Sequence, residues 1–180
     1  MLTFAKGVTS GYAPLAGVVC RDFLAEPFLH GDASFAHGIT FGGHPVSCAV
    51  ALANLSALDE EGILDHVAAA GPGLGARLES LREVPIVGDV RGDGFFWAIE
   101  LVKDPDHPEV RFTPEERSAL MRGVVAPKLF EEGLICRVDD RVDPVVQLAP
   151  VLTCGDDELD EIEATLRGVL NEASKYLSLR

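Results

Sequence analysis

Apolar residues at Leu159, Ile162, Leu166, Val169, Ala173 and Leu177 recur every three or four positions, which places them on one face of a helix near the carboxyl end. The same period links Leu64, Val67, Leu74, Leu78 and Leu81, interrupted by Gly62 and by the Gly71–Pro72 pair, and predicts one long bent helix or two stacked ones. Residues 46–58 carry Ala, Val and Leu nearly all round, so the spacing predicts a well-buried helix with Pro45 in its first turn. A shorter helix is expected over 22–29. Thr113, Pro114 and Glu116 form the signature of a capping box with proline at the first helical position, and that helix should end near Gly133.

Between these helices lie short β-rich runs at 2–5, 17–20, 84–90, 95–102, 134–138 and 145–148. RGDG at 91–94 reads as a hairpin turn and the acidic run 139–143 as another, while 104–111, with Pro105 and Pro108, reads as a surface loop. The fold class expected is α/β, and the order of helices and strands after residue 83 points to an α+β unit at the carboxyl end. The boundaries expected are 1–58, a connecting helix at 59–83, and 84–180.

Composition narrows the function classes. A chain of 180 residues with 47% hydrophobic and 24% charged residues can fill a core, and its formal net charge of −14 argues against nucleic acid, which demands a basic footprint. No run is long and apolar enough to span a membrane. Gly11, Tyr12 and Pro14 break the apolar amino-terminal stretch, so it does not read as a signal peptide, and Val19 before Cys20 does not suit a lipoprotein cleavage box. Cys20, Cys48, Cys136 and Cys154 are far apart and read as buried free thiols in a reducing cytoplasm.

Four constellations carry candidate chemistry. Lys6 sits among Gly7, Gly11 and Gly17 with apolar residues on both sides; a lysine in so tight and water-poor a place would become a neutral nucleophile of the Schiff-base kind, whereas the plain alternative is a surface lysine in a glycine turn. Glycines ahead of the 46–58 helix can cradle an anion, and Thr40 can add a hydroxyl to a phosphate; the alternative is an ordinary helix cap. His30, His37 and His44, with Asp32, could bind zinc but match no compact ligand spacing, so no metal is expected. Arg137 can clamp a carboxylate through two parallel hydrogen bonds, or pair locally with the aspartates after it. Local ion pairing is the better reading for Arg141, and a structural role for Arg91.

LTFAKGVTSGYAPL (2–15), HGITFGGHPVSCAVALA (37–53), VRGDG (90–94) followed by AIEL (98–101), and QLAP (147–150) before an acidic helix occur in this order. Together they resemble class III aminotransferases, pyridoxal-phosphate enzymes of fold type I, over essentially the whole chain. The resemblance implies that Lys6 carries pyridoxal 5′-phosphate as a Schiff base and shuttles the substrate proton. It implies that Thr40 binds the cofactor phosphate across the interface of a homodimer, that Arg137 receives the carboxylate of the substrate or keto acid, and that Tyr12 and Pro14 shape the lysine loop. Amino donor and keto acid would be small molecules. Ala16 stands where the family usually has glycine, and Val151 where it usually has a second proline.

In the family, most of the large cofactor domain precedes the lysine, including a phosphate loop, a ring-stacking aromatic residue and the aspartate that pairs with the pyridine nitrogen. The resemblance therefore implies that 1–58 is the end of a large domain and 84–180 a complete small one. It also implies a chain that is inactive or weak as a transaminase by itself. The alternative is a noncatalytic fragment or interaction module that pairs with a partner chain.

Overall fold

The computed structural model describes every residue except Pro108, Leu179 and Arg180, and the backbone alone of Ser178. Pro108 of the expected surface loop thus lies outside the described residues. The chain divides into two compact units, Met1–Ile63 and Leu64–Arg180.

In the first unit, β1 (Leu2–Phe4) and β2 (Gly17–Val19) pair antiparallel, Leu2 opposite Val19 and Phe4 opposite Gly17. This pairing closes the base of the loop that carries Lys6. Gly17 is fixed by packing: a Cβ there would meet the Phe4 ring at 2.3 Å. α1 (Asp22–Leu29) follows, and the glycine turn then leads into α2 (Pro45–Glu60), which begins with Pro45 where a missing N–H costs nothing. The expectation of a well-buried α2 is overturned. Only Ser47 and Ala51 are buried, and Leu52 is 67% exposed. Within its unit α2 packs on a 3-10 turn of the lysine loop, which covers one stripe of an all-round apolar helix.

The second unit holds the hydrophobic core cluster. α3 (Ile63–Glu79) contributes Leu74 and Leu78 to it, and a following 3-10 turn contributes Leu81. β3 (Val87–Asp93), β4 (Phe96–Leu101), β5 (Arg137–Asp139) and β6 (Val145–Leu148) form one antiparallel sheet in the order β3-β4-β6-β5. The β3 strand runs through Asp93, so the turn read at 91–94 sits at Gly94 instead. Alternation sends Ile99, Leu101, Val146 and Leu148 into the core and leaves Arg91, Ala98, Gln147 and Arg137 paired across the other face.

α4 (Pro114–Leu120) runs through a π turn at Met121–Val125 into α5 (Ala126–Glu131). Pro127 supplies the reason for the π turn: its ring would press on the carbonyl four residues back in a regular helix, and widening relieves that contact. α6 (Asp156–Ser178) buries Leu159, Leu166, Val169, Leu170 and Ala173, close to the face its periodicity predicts.

The capping box is present in full. Thr113 Oγ1 accepts from the Glu116 N–H at 3.2 Å, and Glu116 Oε2 accepts from the Thr113 N–H at 2.9 Å. Thr113→Ala should therefore cost about 1 kcal/mol and lower the thermal midpoint by about 2–4 °C, read by circular dichroism. An unchanged midpoint would show that the cap is dispensable.

Candidate active site

Lys6 opens the 3-10 turn Lys6–Thr9 between β1 and β2, and its backbone is left-handed, with φ at 51°. Ser10 closes the turn at φ 48°. Two non-glycine residues in that region cost roughly 1–2 kcal/mol each, so something must hold them. Thr9, 1% exposed, turns its hydroxyl inward to donate to the Ala13 carbonyl at 2.6 Å. From α2, the amide of Asn54 donates to the carbonyls of Gly7 and Val8, at 3.0 and 3.1 Å, and accepts from the Ser10 hydroxyl at 2.6 Å. Gly11, at φ 79°, lets the chain leave the turn.

The sequence places Lys6 in a tight, water-poor pocket; here its side chain is exposed. The reason is visible in the loop. Gly7 and Gly11 face open space rather than close neighbours, and the bonds that hold the turn run to its backbone. What distinguishes Lys6 is its left-handed backbone; its amine also lacks an ion-pair partner among the described residues, unlike Lys103, which bonds to Glu116, and Lys128, which bonds to Glu172.

Thr40 is exposed at the start of a turn that runs through Gly43. Gly42 N–H donates to the Ile39 carbonyl at 2.8 Å and His44 N–H to the Phe41 carbonyl at 3.1 Å. His44 caps α2 through Nδ1, which accepts from the Ser47 N–H at 3.3 Å. Lys6 and Thr40 thus lie on separate loops of one unit, both anchored on α2. His44 is engaged as a cap and His30 closes α1; among the described residues no three His, Cys, Asp or Glu side chains gather as a metal site.

Arg137 belongs to the second unit, at the start of β5. Its guanidinium is 58% exposed and donates to Asp139 at 3.1 Å. Asp139 is also bonded by Arg141 through Nε at 3.0 Å and by the Arg141 N–H at 3.1 Å. These partners, Arg141 first, hold the Asp139 carboxyl well below the usual range. Arg141 is therefore the local ion-pair residue expected of it, as is Arg91, which reaches Asp89 and Glu100 at 2.8 Å each. Arg137 also borders an open groove of about 670 Å³ lined by Phe96, Leu134, Cys136, Gln147, Pro150 and Ile162. Burial pushes the Cys136 thiol up to about 11, so it stays protonated and unreactive at neutral pH.

Asn54 escaped the sequence reading. Its signal is a lone amide in the middle of an apolar helix, where Asn is a poor helix former and needs a partner. Ser47, Ala51, Asn54 and Leu58 fall on one stripe of α2, and Asn54 on that stripe bonds the lysine loop.

The first unit thus presents a lysine on a two-stranded hairpin, and the second is an antiparallel α+β unit. The model of the class-III aminotransferases matches residues 1–170, and the chain belongs to that family. It is 55% identical over 180 residues to a probable aminotransferase of Mycobacterium tuberculosis, covering 99% of this chain and 38% of the relative. Identity is 38% over 175 residues to a putrescine–pyruvate aminotransferase of Pseudomonas aeruginosa, covering 97% and 36% of the two chains. The crystal structure of an (S)-enantioselective ω-transaminase from Thermomicrobium roseum superposes with a TM-score of 0.85 at 38% identity, over 95% of this chain and 37% of that one. The chain thus has the α/β architecture of the fold type I transaminases over the part it shares, and spans less than two fifths of the length of these relatives. Among the described residues no helix is long and apolar enough to cross a membrane.

Proposed function

We propose that this chain supplies the lysine and the carboxylate-binding arginine of a pyridoxal-phosphate-dependent transaminase, which moves an amino group from an amine or amino acid to a keto acid. One observation carries the reading: an unpaired, exposed lysine amine on a left-handed, clamped turn, in a family defined by amino-group transfer. Strain held by surrounding bonds is a feature of functional positions.

The residues present fit the cofactor. The free amine of Lys6 suits an aldehyde, and the exposed hydroxyl of Thr40, just ahead of the α2 amino terminus, suits a phosphate. When bound, pyridoxal phosphate supplies a carbonyl carbon for the amine and an electron sink for the bond that breaks. With the cofactor held there, Lys6 Nζ would take the proton from the substrate carbon bearing the amino group and deliver it to the former aldehyde carbon, and would run the same shift in reverse in the second half of the cycle. Arg137 exchanges its exposed contact with Asp139 for the carboxylate of the keto acid. Because Asp139 keeps Arg141, that exchange leaves no bare carboxylate behind.

The working assembly on this reading is a homodimer in which Thr40 serves the cofactor of the other subunit. Phe35, Ile39 and Phe41 around Thr40 are 69%, 71% and 76% exposed, which suits an interface. The name of the Pseudomonas aeruginosa relative suggests a diamine as donor and pyruvate as acceptor.

Borohydride reduction of the protein after incubation with pyridoxal phosphate tests the assignment. Peptide mass mapping should find the pyridoxyl group on Lys6 and on none of Lys103, Lys128 or Lys175. Labelling spread over those three, or no label at all, would remove Lys6 from the role.

A further inference from the structure

We propose that Asn54 is a positioning residue for Lys6, fixing the backbone turn from which the amine projects. The inference rests on the reading of Lys6 as the working amine and adds a residue whose only link to it is through the loop. Three observations converge. Lys6 and Ser10 both have left-handed backbones, at φ 51° and 48°, a region that non-glycine residues seldom adopt. Asn54 bonds to the residues between and at the end of that pair, donating to the carbonyls of Gly7 and Val8 and accepting from the Ser10 hydroxyl. It does so from the middle of a regular helix, so the anchor is rigid on the scale of the loop.

The side chain is well matched to the task. A carboxamide offers two N–H donors on one nitrogen and a carbonyl acceptor beside them. Its amide nitrogen bonds two successive carbonyls, which both come within reach of one nitrogen where the chain is helically turned, as it is in Lys6–Thr9. The acceptor then takes the Ser10 hydroxyl at the point where the turn ends. An aspartate has the same shape but no donors, and would set its charge against the two carbonyls. No other described side chain bonds to the Gly7 or Val8 carbonyl, whereas Thr9 secures the far side of the loop through Ala13. Asn54 thus holds the turn from α2, and Thr9 ties it to the chain that leaves it.

The test compares Asn54→Asp, Asn54→Ala and Ser10→Ala with the unaltered protein. Amide hydrogen exchange over residues 7–12 should quicken about tenfold in both Asn54 variants, the expected result of losing two hydrogen bonds, with exchange in the second unit unchanged. After addition of pyridoxal phosphate, the fraction trapped on Lys6 by borohydride in a fixed time should fall about tenfold. The pH at which the absorption band of the lysine-bound cofactor titrates should also move. Ser10→Ala should shift each readout in the same direction by less. Asn54→Asp keeps the size of the side chain and so provides the answer should Asn54→Ala fail to fold. Unaltered exchange in Asn54→Asp, or quickened exchange with trapping and band titration both unaltered, would overturn the proposal. A label that persists in Lys6→Ala would instead overturn the reading of Lys6, while quickened exchange in the Asn54 variants would still support the clamp on the loop.

Discussion

On the transaminase reading proposed for this chain, replacing Lys6 with alanine is expected to lower turnover by about four orders of magnitude and to remove the absorption band of the lysine-bound cofactor. The magnitude follows from the work assigned to one amine: it holds the cofactor at rest and moves the substrate proton, and a positioned general base alone contributes roughly 10²–10⁴-fold. Two further arms separate chemistry from structure. Lys6→Arg keeps the charge and length but has no amine that can condense with an aldehyde, so it should be as inactive as alanine. A small primary amine added to Lys6→Ala should restore part of the proton transfer, because the lost group is small and the site is exposed. Full turnover in Lys6→Ala would end the assignment. Thermal unfolding should be little changed or improved, since alanine at φ 51° costs no more than lysine there and no ion pair is lost.

Arg137→Ala should raise the KM for a keto acid about 10- to 100-fold, the range expected for losing charge-assisted hydrogen bonds to a carboxylate. With an amine donor that has no carboxylate, the first half-reaction should change by less than about threefold, because nothing on such a donor engages a guanidinium. Arg137→Lys should recover only part of the loss, since an ammonium cannot form two parallel bonds. Equal losses for carboxylate-bearing and carboxylate-free substrates would mean that Arg137 acts through the sheet rather than on the substrate. The contact with Asp139 should not mask the effect. At 3.1 Å, with the Arg137 side chain 58% exposed and that of Asp139 10%, Arg137 can leave the contact at little cost because Asp139 retains Arg141.

Much of the fold was legible because it is written in short-range patterns. Thr113 and Glu116 cap a helix through bonds that span one turn, and α6 follows a period that burial of Leu159, Leu166 and Ala173 repeats. α1 falls at Asp22–Leu29, where the sequence placed it. α2 was legible as a helix but not in its surroundings. Its all-round apolar surface predicts burial, yet burial depends on neighbours: α2 buries only Ser47 and Ala51, and it meets the lysine loop through Asn54.

Lys6 divides in the same way. Its residue type, its glycines and the strands on either side pick it out from the sequence, and so does the family to which the chain belongs. The expected tight pocket did not follow, because side-chain burial is set by segments remote in sequence. What the tertiary structure decided is the left-handed turn and the means of holding it: Asn54, brought from α2 to the Gly7 and Val8 carbonyls. It likewise decided which of the arginines near Asp139 is committed to it, with Arg141 bonding through both side chain and backbone and Arg137 through a single exposed contact. Local periods and caps depend on a few neighbouring residues and can be read along the chain; the partner of a free amide or a shared carboxylate depends on where folding brings distant backbone, and only the folded structure contains that information.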